Sequence, residues 1–310
     1  MIATTLDTTR AFGSDVWRRA PVGAQQRRIL CATDLSVRSV RALRAAAALA
    51  NRLDAHLMLL HVVPSRGSSA DQALAHERLR DQVSTSALSL DSQPVLEVRV
   101  GETAKTIADV ALETRADLIV MGAQTRRALA SLTGTTAERV ISGAKCPVLI
   151  VRSKAALRYA RVVIAADLSP SFKDVLRFAD RWSFLDLAPV AIVHGFQSPY
   201  QGPLYAEGYD LATARRYIAA WKRSAREHLL AKVSAAGLDP ARFDVRVEEN
   251  RPLRVVRRAV RQGTPSLLVL GTSGHTFMSR LFRGSLANDA LLSLDCDVLI
   301  CGTSGPRTLH

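Results

Sequence analysis

Residues 27–36 read RRILCATDLS, and residues 160–169 read ARVVIAADLS. Each is a short apolar run closed by Asp-Leu-Ser, and Asp34 matches Asp167 and Ser36 matches Ser169 at one offset, 133. An uninterrupted apolar run of this kind is how a parallel strand buried on both faces reads. Working outward, LMLLHVV, ending at Val63, matches PVAIVHGF, and His61 to His194 is again 133. DLIVMG, ending at Gly122, matches SLLVLG, ending at Gly271, at 149, and CPVLIV from Cys146 matches CDVLIC from Cys296 at 150. Ordered, constant offsets mean that a domain has been duplicated. The step from 133 to 149 places a 16-residue insertion in the second half, and the step to 150 marks one residue missing from the first half's glycine loop. The expected organisation is a flexible N-terminal leader over 1–26 and two domains, 27–153 and 159–303.

Each copy alternates strand and helix. The strands are expected at Ile29–Ala32, Leu57–Val63, Val95–Val100, Leu118–Met121 and Val148–Val151. Their counterparts are Val162–Ala165, Val190–Val193, Phe243–Val247, Leu267–Leu270 and Val298–Cys301. The fold class is therefore α/β, with two tandem doubly wound domains, each holding a five-stranded parallel sheet. Ser36 and Ser169 read as helix N-caps, with Pro170 at the first helical position. Phe172, Val175, Leu176 and Ala179 then fall on one helical face. The fifth strands would leave apolar edges open, so they are expected to be paired or covered.

The chain has 310 residues, 48% hydrophobic and 23% charged, enough to bury a core without disulfides or metal. Its net charge of +14 comes from basic residues scattered through RALRAAA, ARRYIAAWKR and RVVRRAVRQ. Without a helix-turn-helix, zinc-finger or RNP signature, this predicts weak non-specific affinity for polyanions and no specific nucleic-acid partner. Cys31, Cys146, Cys296 and Cys301 form no C-x-x-C pair and read as small hydrophobes in a reducing compartment. No apolar stretch reaches the ~18–20 residues of a membrane span, so no membrane partner and a cytoplasmic location are expected.

In such sheets ligands bind beyond the carboxyl ends of the strands, where strand order reverses. That singles out Asp167 after the first strand of the second copy and Gly271, Gly274, Gly284 and Ser285 after the fourth. The glycines permit close backbone approach, and a helix opening at Gly284-Ser285 offers free N–H groups to phosphate. The structural alternative is that the glycines mark turns and that Asp167 belongs to a cap. His61 and His194 read as satisfied structural histidines, and His275 as an exposed loop residue. Walker, G-x-S-x-G and SGGxDS motifs are missing, as is any positioned base with a nucleophile. Binding is expected rather than catalysis.

The pattern G-x2-G-x9-G-[ST], with an upstream Asp and the LLHVV strand, resembles the ATP-binding branch of the universal stress protein family, over residues 27–153 and 159–303. The resemblance implies an adenine nucleotide alpha hydrolase-like fold and ATP as ligand, accompanied by Mg2+. It implies Asp167, Gly195, Leu270, Gly271, Ser273, Gly274, Gly284, Ser285 and Leu286 as ligands in the second half. In the first half it implies Asp34, Val62, Met121, Gly122, Gly134, Thr135 and Thr136 with less weight. There Gln124 and Thr125 replace Ser273 and Gly274, and the loop to Gly134 is short. It further implies a regulator or sensor of stress response read by a protein partner, with a pseudo-dimer inside the chain and a homodimer as an option. An interaction scaffold without nucleotide and a slow ATPase are the alternatives. Tyr200, Tyr205, Tyr209 and Tyr217 gather in the insertion, as a packed surface loop or as a lid or partner surface.

Overall fold

A computed structural model describes residues 26–86, 91–123, 135–154, 156–198, 211–271 and 286–302. The first half runs β1 (Arg28–Thr33), α1 (Ser39–Leu53), β2 (His56–Val63), α2 (Ser69–Thr85), β3 (Val95–Val100), α3 (Thr103–Glu113), β4 (Leu118–Gly122), α4 (Thr136–Gly143) and β5 (Val148–Val151). The second runs β6 (Arg161–Ala165), α5 (Phe172–Arg181), β7 (Val190–Phe196), α6 (Leu211–Ala235), β8 (Phe243–Glu249), α7 (Pro252–Arg261), β9 (Ser266–Gly271), α8 (Leu286–Ser293) and β10 (Asp297–Cys301).

The strands form one sheet in the order β3-β2-β1-β4-β5-β10-β9-β6-β7-β8. Every pair is parallel except β5–β10, where Leu149 faces Leu299 in an antiparallel ladder. Each half is thus a doubly wound parallel sheet, and the two fifth strands close each other's edges. Alternate side chains feed two cores. Ile29, Cys31, Leu57 and Leu59 pack with α1, α2, α5 and α6 on one face. Leu30, Met58, Leu60 and Ile119 pack with α3, α4, α7 and α8 on the other. The outer strands β3 and β8 carry ion pairs, Glu97–Arg99 and Asp244–Arg246, a charged finish that discourages edge-to-edge association.

The helix starts differ from the sequence expectation. Helix α1 begins at Ser39 and α5 at Phe172, so Ser36 and Ser169 are not N-caps and Pro170 sits in the preceding turn. The reason is the Asp-Leu-Ser segment itself. Oδ1 of Asp34 accepts the backbone N–H of Ser36 at 3.0 Å, and Oδ1 of Asp167 accepts that of Ser169 at 3.3 Å. This Asx-type turn competes with helix. In the first copy it puts Leu35 at φ +60°, outside helical space. The insertion contributes to α6, 25 residues long against 17 in α2. Tyr217 lies on that helix, while Tyr200, Tyr205 and Tyr209 fall outside the described residues.

A buried acid marks the junction. Asp297, at the start of β10 where β5 is preceded by Pro147, is 1% exposed. Its Oδ1 accepts the backbone N–H groups of Arg152 and Ser153, both at 2.7 Å, and its Oδ2 accepts the Tyr159 hydroxyl at 2.7 Å. Burial nevertheless pushes the Asp297 carboxyl above its ordinary value. Arg152 itself accepts from Arg41 of α1 at 2.7 Å and donates to Leu291 of α8. One connecting segment is therefore tied to both halves.

Candidate functional site

In each half the first strand has neighbours on both sides. Ala32 aligns with Leu60 and with Met121, and Ala165 with Val193 and with Leu270. The helix after the first strand goes to one face of the sheet and the helix after the fourth goes to the other. A crevice opens between their origins. Asp167 lies two residues past Ala165 and Gly271 one past Leu270, so both stand at its mouth. Leu270 and Met121 send their side chains into the core and leave only main chain to the crevice.

Asp34 and Asp167 serve their turns with one oxygen each. Asp167 Oδ1 also accepts the Ser169 hydroxyl at 2.6 Å. For Asp34, burial works against the charge, but hydrogen bonds led by Ser36 outweigh it and hold the carboxyl below its ordinary value. Each carboxylate thus closes a local turn rather than a helix cap.

The strand-two histidines are structural. Nδ1 of His61 donates to the Thr33 carbonyl at 2.9 Å, and Nδ1 of His194 to the Ala166 carbonyl at 2.8 Å. A repeated brace escaped the sequence reading. Gln82 Nε2 donates to the Ser36 carbonyl at 3.4 Å and Lys232 Nζ to the Ser169 carbonyl at 3.0 Å. They stand 150 apart, the offset of the last strands, which is the signal that could have found them.

The glycines divide by packing. A Cβ on Gly195 would lie 2.8 Å from Pro252 Cα, and one on Gly271 2.8 Å from Val175 Cγ2. Both are required by close helix approach. Gly122 has room, its nearest neighbour being Ser39 Cα at 3.7 Å. Val62, which matches Gly195, is buried against the second core.

The fourth-strand loops lead to α4 and α8. At α4, Thr135 is the N-cap: its Oγ1 accepts from the Glu138 N–H at 3.2 Å, and Glu138 Oε2 accepts from the Thr135 N–H at 2.6 Å. A carboxylate therefore already takes the N-cap N–H of this helix, next to Thr136. At offset 150 the second half has Asn288, buried and neutral, near the start of α8 at Leu286. Gln124, Thr125, Gly134, Ser273, Gly274, His275, Gly284 and Ser285 lie outside the described residues. Of the ligands implied for the second half, the structure brings Asp167, Leu270 and Gly271 to one crevice. Gly195 lies farther along, at the end of β7.

Burial pushes the Cys31 and Cys296 thiols up to about 12, far from a reactive thiolate. Among the described residues no group of three or more His, Cys, Asp or Glu side chains is set to hold a metal, and no helix is long and apolar enough to cross a membrane.

Comparison with known proteins bears on the family and the fold. The sequence profile of the Universal stress protein family matches twice, over residues 26–152 and 158–302. A universal stress protein of Thermus aquaticus, described by its place in the QAH/OAS sulfhydrylase 3' region, is 32% identical over 133 residues, 40% of this chain and 97% of that one. The crystal structure of a universal stress protein from Archaeoglobus fulgidus aligns over 89% of this chain and 96% of its own, with a TM-score of 0.61 at 16% identity, a likeness of fold. Another Archaeoglobus fulgidus universal stress protein, solved in complex with dAMP, is 28% identical over 40% of this chain and 96% of its own, with a TM-score of 0.32.

Proposed function

This chain belongs to the universal stress protein family in both halves, and on that premise we propose that its second half binds ATP, with its Mg2+, at the crevice between β6 and β9. The protein then acts as a cytoplasmic, nucleotide-dependent regulator of a stress response, read by a protein partner and without strong catalytic activity. Its functional units are 27–153 and 159–303. The observation that carries the reading is that Asp167 and Gly271 stand just beyond Ala165 and Leu270, the last paired residues of adjacent strands, where chain order reverses. A carboxylate there accepts from ribose hydroxyls, and main chain at Gly271 leads into Ser273, Gly274, Gly284 and Ser285, whose spacing suits a phosphate loop.

The contrast between α4 and α8 supports unequal use of the two halves. A helix N-terminus attracts one anion, through its free N–H groups and its dipole. In the first half Glu138 supplies that anion from within. A phosphate arriving there would meet a carboxylate rather than open donors. In the second half the position matching Glu138 is the neutral Asn288, and the acid of the first turn, Asp289, stands one residue farther along. The first half, with Thr125 in place of the second glycine, then serves as the structural partner of the binding half.

The test is mass spectrometry of nucleotide released from the heat-denatured full chain, with calorimetry after nucleotide removal. About one ATP per chain is expected, lost in Asp167→Ala and Gly274→Arg and kept in Gly122→Ala. Two equivalent sites would overturn the asymmetry, and no binding at millimolar ATP would overturn the function.

A further inference from the structure

The two halves treat the space beside their strand-two histidine differently. In the second half Trp221 of α6 fills it, with its ring 5.7 Å from that of His194 at 22° and 3.8 Å from that of Phe196. Helices α2 and α6 correspond at offset 150. Gln82 and Lys232 make the same brace, and Ala75 and Leu79 are buried as Ala225 and Leu229 are. By that correspondence Trp221 matches Asp71, and at the strand offset of 133 Phe196 matches Val63.

Among the described residues of the first half no aromatic ring takes that place. In its place lies a cleft of about 310 Å³ walled by Leu35, His61, Val63, Leu74 and Ala75. Leu74 is 44% exposed, an apolar wall without a described covering. The volume stands at the small end of ligand pockets, enough for a bicyclic ring with a short substituent. Because His61 spends Nδ1–H on the Thr33 carbonyl, its imidazole is held in place, as His194 is beneath Trp221. Arg66 and Arg78 also line the cleft. The acid beside them, Asp71, is occupied by the α2 capping box, accepting from the Ser68 N–H at 2.7 Å and the Ser68 hydroxyl at 2.8 Å. Two arginines and one carboxylate therefore line the cleft, and Ser68 engages that carboxylate. Asp34, Val62 and Gly122 are not among its lining residues.

We propose that this cleft is a second small-molecule site, separate from the ATP crevice, and that it takes a flat bicyclic aromatic ring carrying a carboxylate. The ring stacks against His61 between Leu35 and Leu74, where the second half places its own indole. The carboxylate reaches Arg78 and Arg66, whose planar forks suit it.

Calorimetry on the full chain with indole-3-acetate tests this. One site per chain is expected, with indole itself at least tenfold weaker for want of the acid. Arg78→Glu combined with Arg66→Glu should weaken binding at least tenfold. Leu74→Trp, which fills the cleft from an exposed position, should abolish it while circular dichroism and ATP binding stay unchanged. Binding should persist in Asp167→Ala and under saturating ATP, so failure of the nucleotide reading leaves this one standing. No binding at millimolar indole-3-acetate, equal affinity for indole, undiminished binding by Leu74→Trp, or displacement by ATP would each overturn it.

Discussion

Asp297→Ala is expected to be among the most destabilising single changes at the centre of the sheet. The carboxylate takes three hydrogen bonds, all at 2.7 Å, from two backbone N–H groups of the connecting segment and from Tyr159. Truncation leaves three donors without that acceptor, at ~1–3 kcal/mol each where buried. Against this stands relief from holding an ionised group out of water, a cost evident in the raised carboxyl. The net expectation is a loss of ~3–4 kcal/mol. Asp297→Asn keeps an oxygen for both N–H groups and lets the Tyr159 hydroxyl turn from donor to acceptor. It should cost about 1 kcal/mol or less. The sign with pH follows from the same shift. The folded carboxyl binds its proton more readily than the unfolded one, whose ordinary value is 3.8. Ionised burial therefore costs stability at neutral pH, and the cost is relieved as pH falls through the raised value. Wild type should gain on Asp297→Asn over that window and no further below 3.8. Urea unfolding followed by tryptophan fluorescence reads all of this, since Trp182 is fully buried. An Asp297→Ala chain within about 1 kcal/mol of wild type would refute the junction argument, the unmade bonds being worth more than that. An Asn variant as weak as Ala would show that charge, not hydrogen-bond geometry, holds the segment.

Three further outcomes follow from packing and charge. Asn288→Asp adds a carboxylate of equal size near the start of α8 and should weaken ATP binding at least tenfold, ~1.4 kcal/mol by calorimetry, and, because the position is buried, should also lower the urea midpoint. Gly195→Ala drives a methyl against Pro252 and Val255 and should cost ~1–3 kcal/mol, whereas Gly122→Ala should stay within ~0.5 kcal/mol; equal effects in urea melts would contradict the packing. Cys31 and Cys296, buried with thiols near 12, should resist maleimide at pH 8 in the native protein and react once it is unfolded, which mass spectrometry counts directly.

Much of the fold was legible because buried parallel strands leave an uninterrupted apolar trace, and duplication printed that trace twice. The apolar trace of β5 and β10 required only that these edges be paired or covered; their pairing with each other was implied by the family resemblance. The helix starts were misread because Asp-Leu-Ser looks like a cap until its carboxylate is seen closing a turn on the Ser N–H. Asp297 was visible in sequence as the mismatch to Pro147, but nothing local says that a polar residue opening an apolar strand will be sealed between two halves. At the site, Asp167 and Gly271 were singled out by topology and glycine spacing, and the structure sets both at the mouth of one crevice. Gly195 was read for its main chain, while its packing against α7 depends on a helix more than fifty residues away. The Thr135–Glu138 capping box carries a recognisable T-x-x-E spacing and was missed, because attention to phosphate ligands hid a residue that competes with them.

Joining β5 to β10 within one polypeptide has a consequence for what the molecule is free to become. Two identical chains meeting about a twofold axis must accept every substitution twice, once on each side. Here a change lands once, and the contact neither weakens on dilution nor exchanges with a stranger's half. Pro147 can face a different fate from Asp297, Glu138 from Asn288, and Val63 from Phe196. One gene can therefore keep a conservative half as a fixed companion while the other is remodelled.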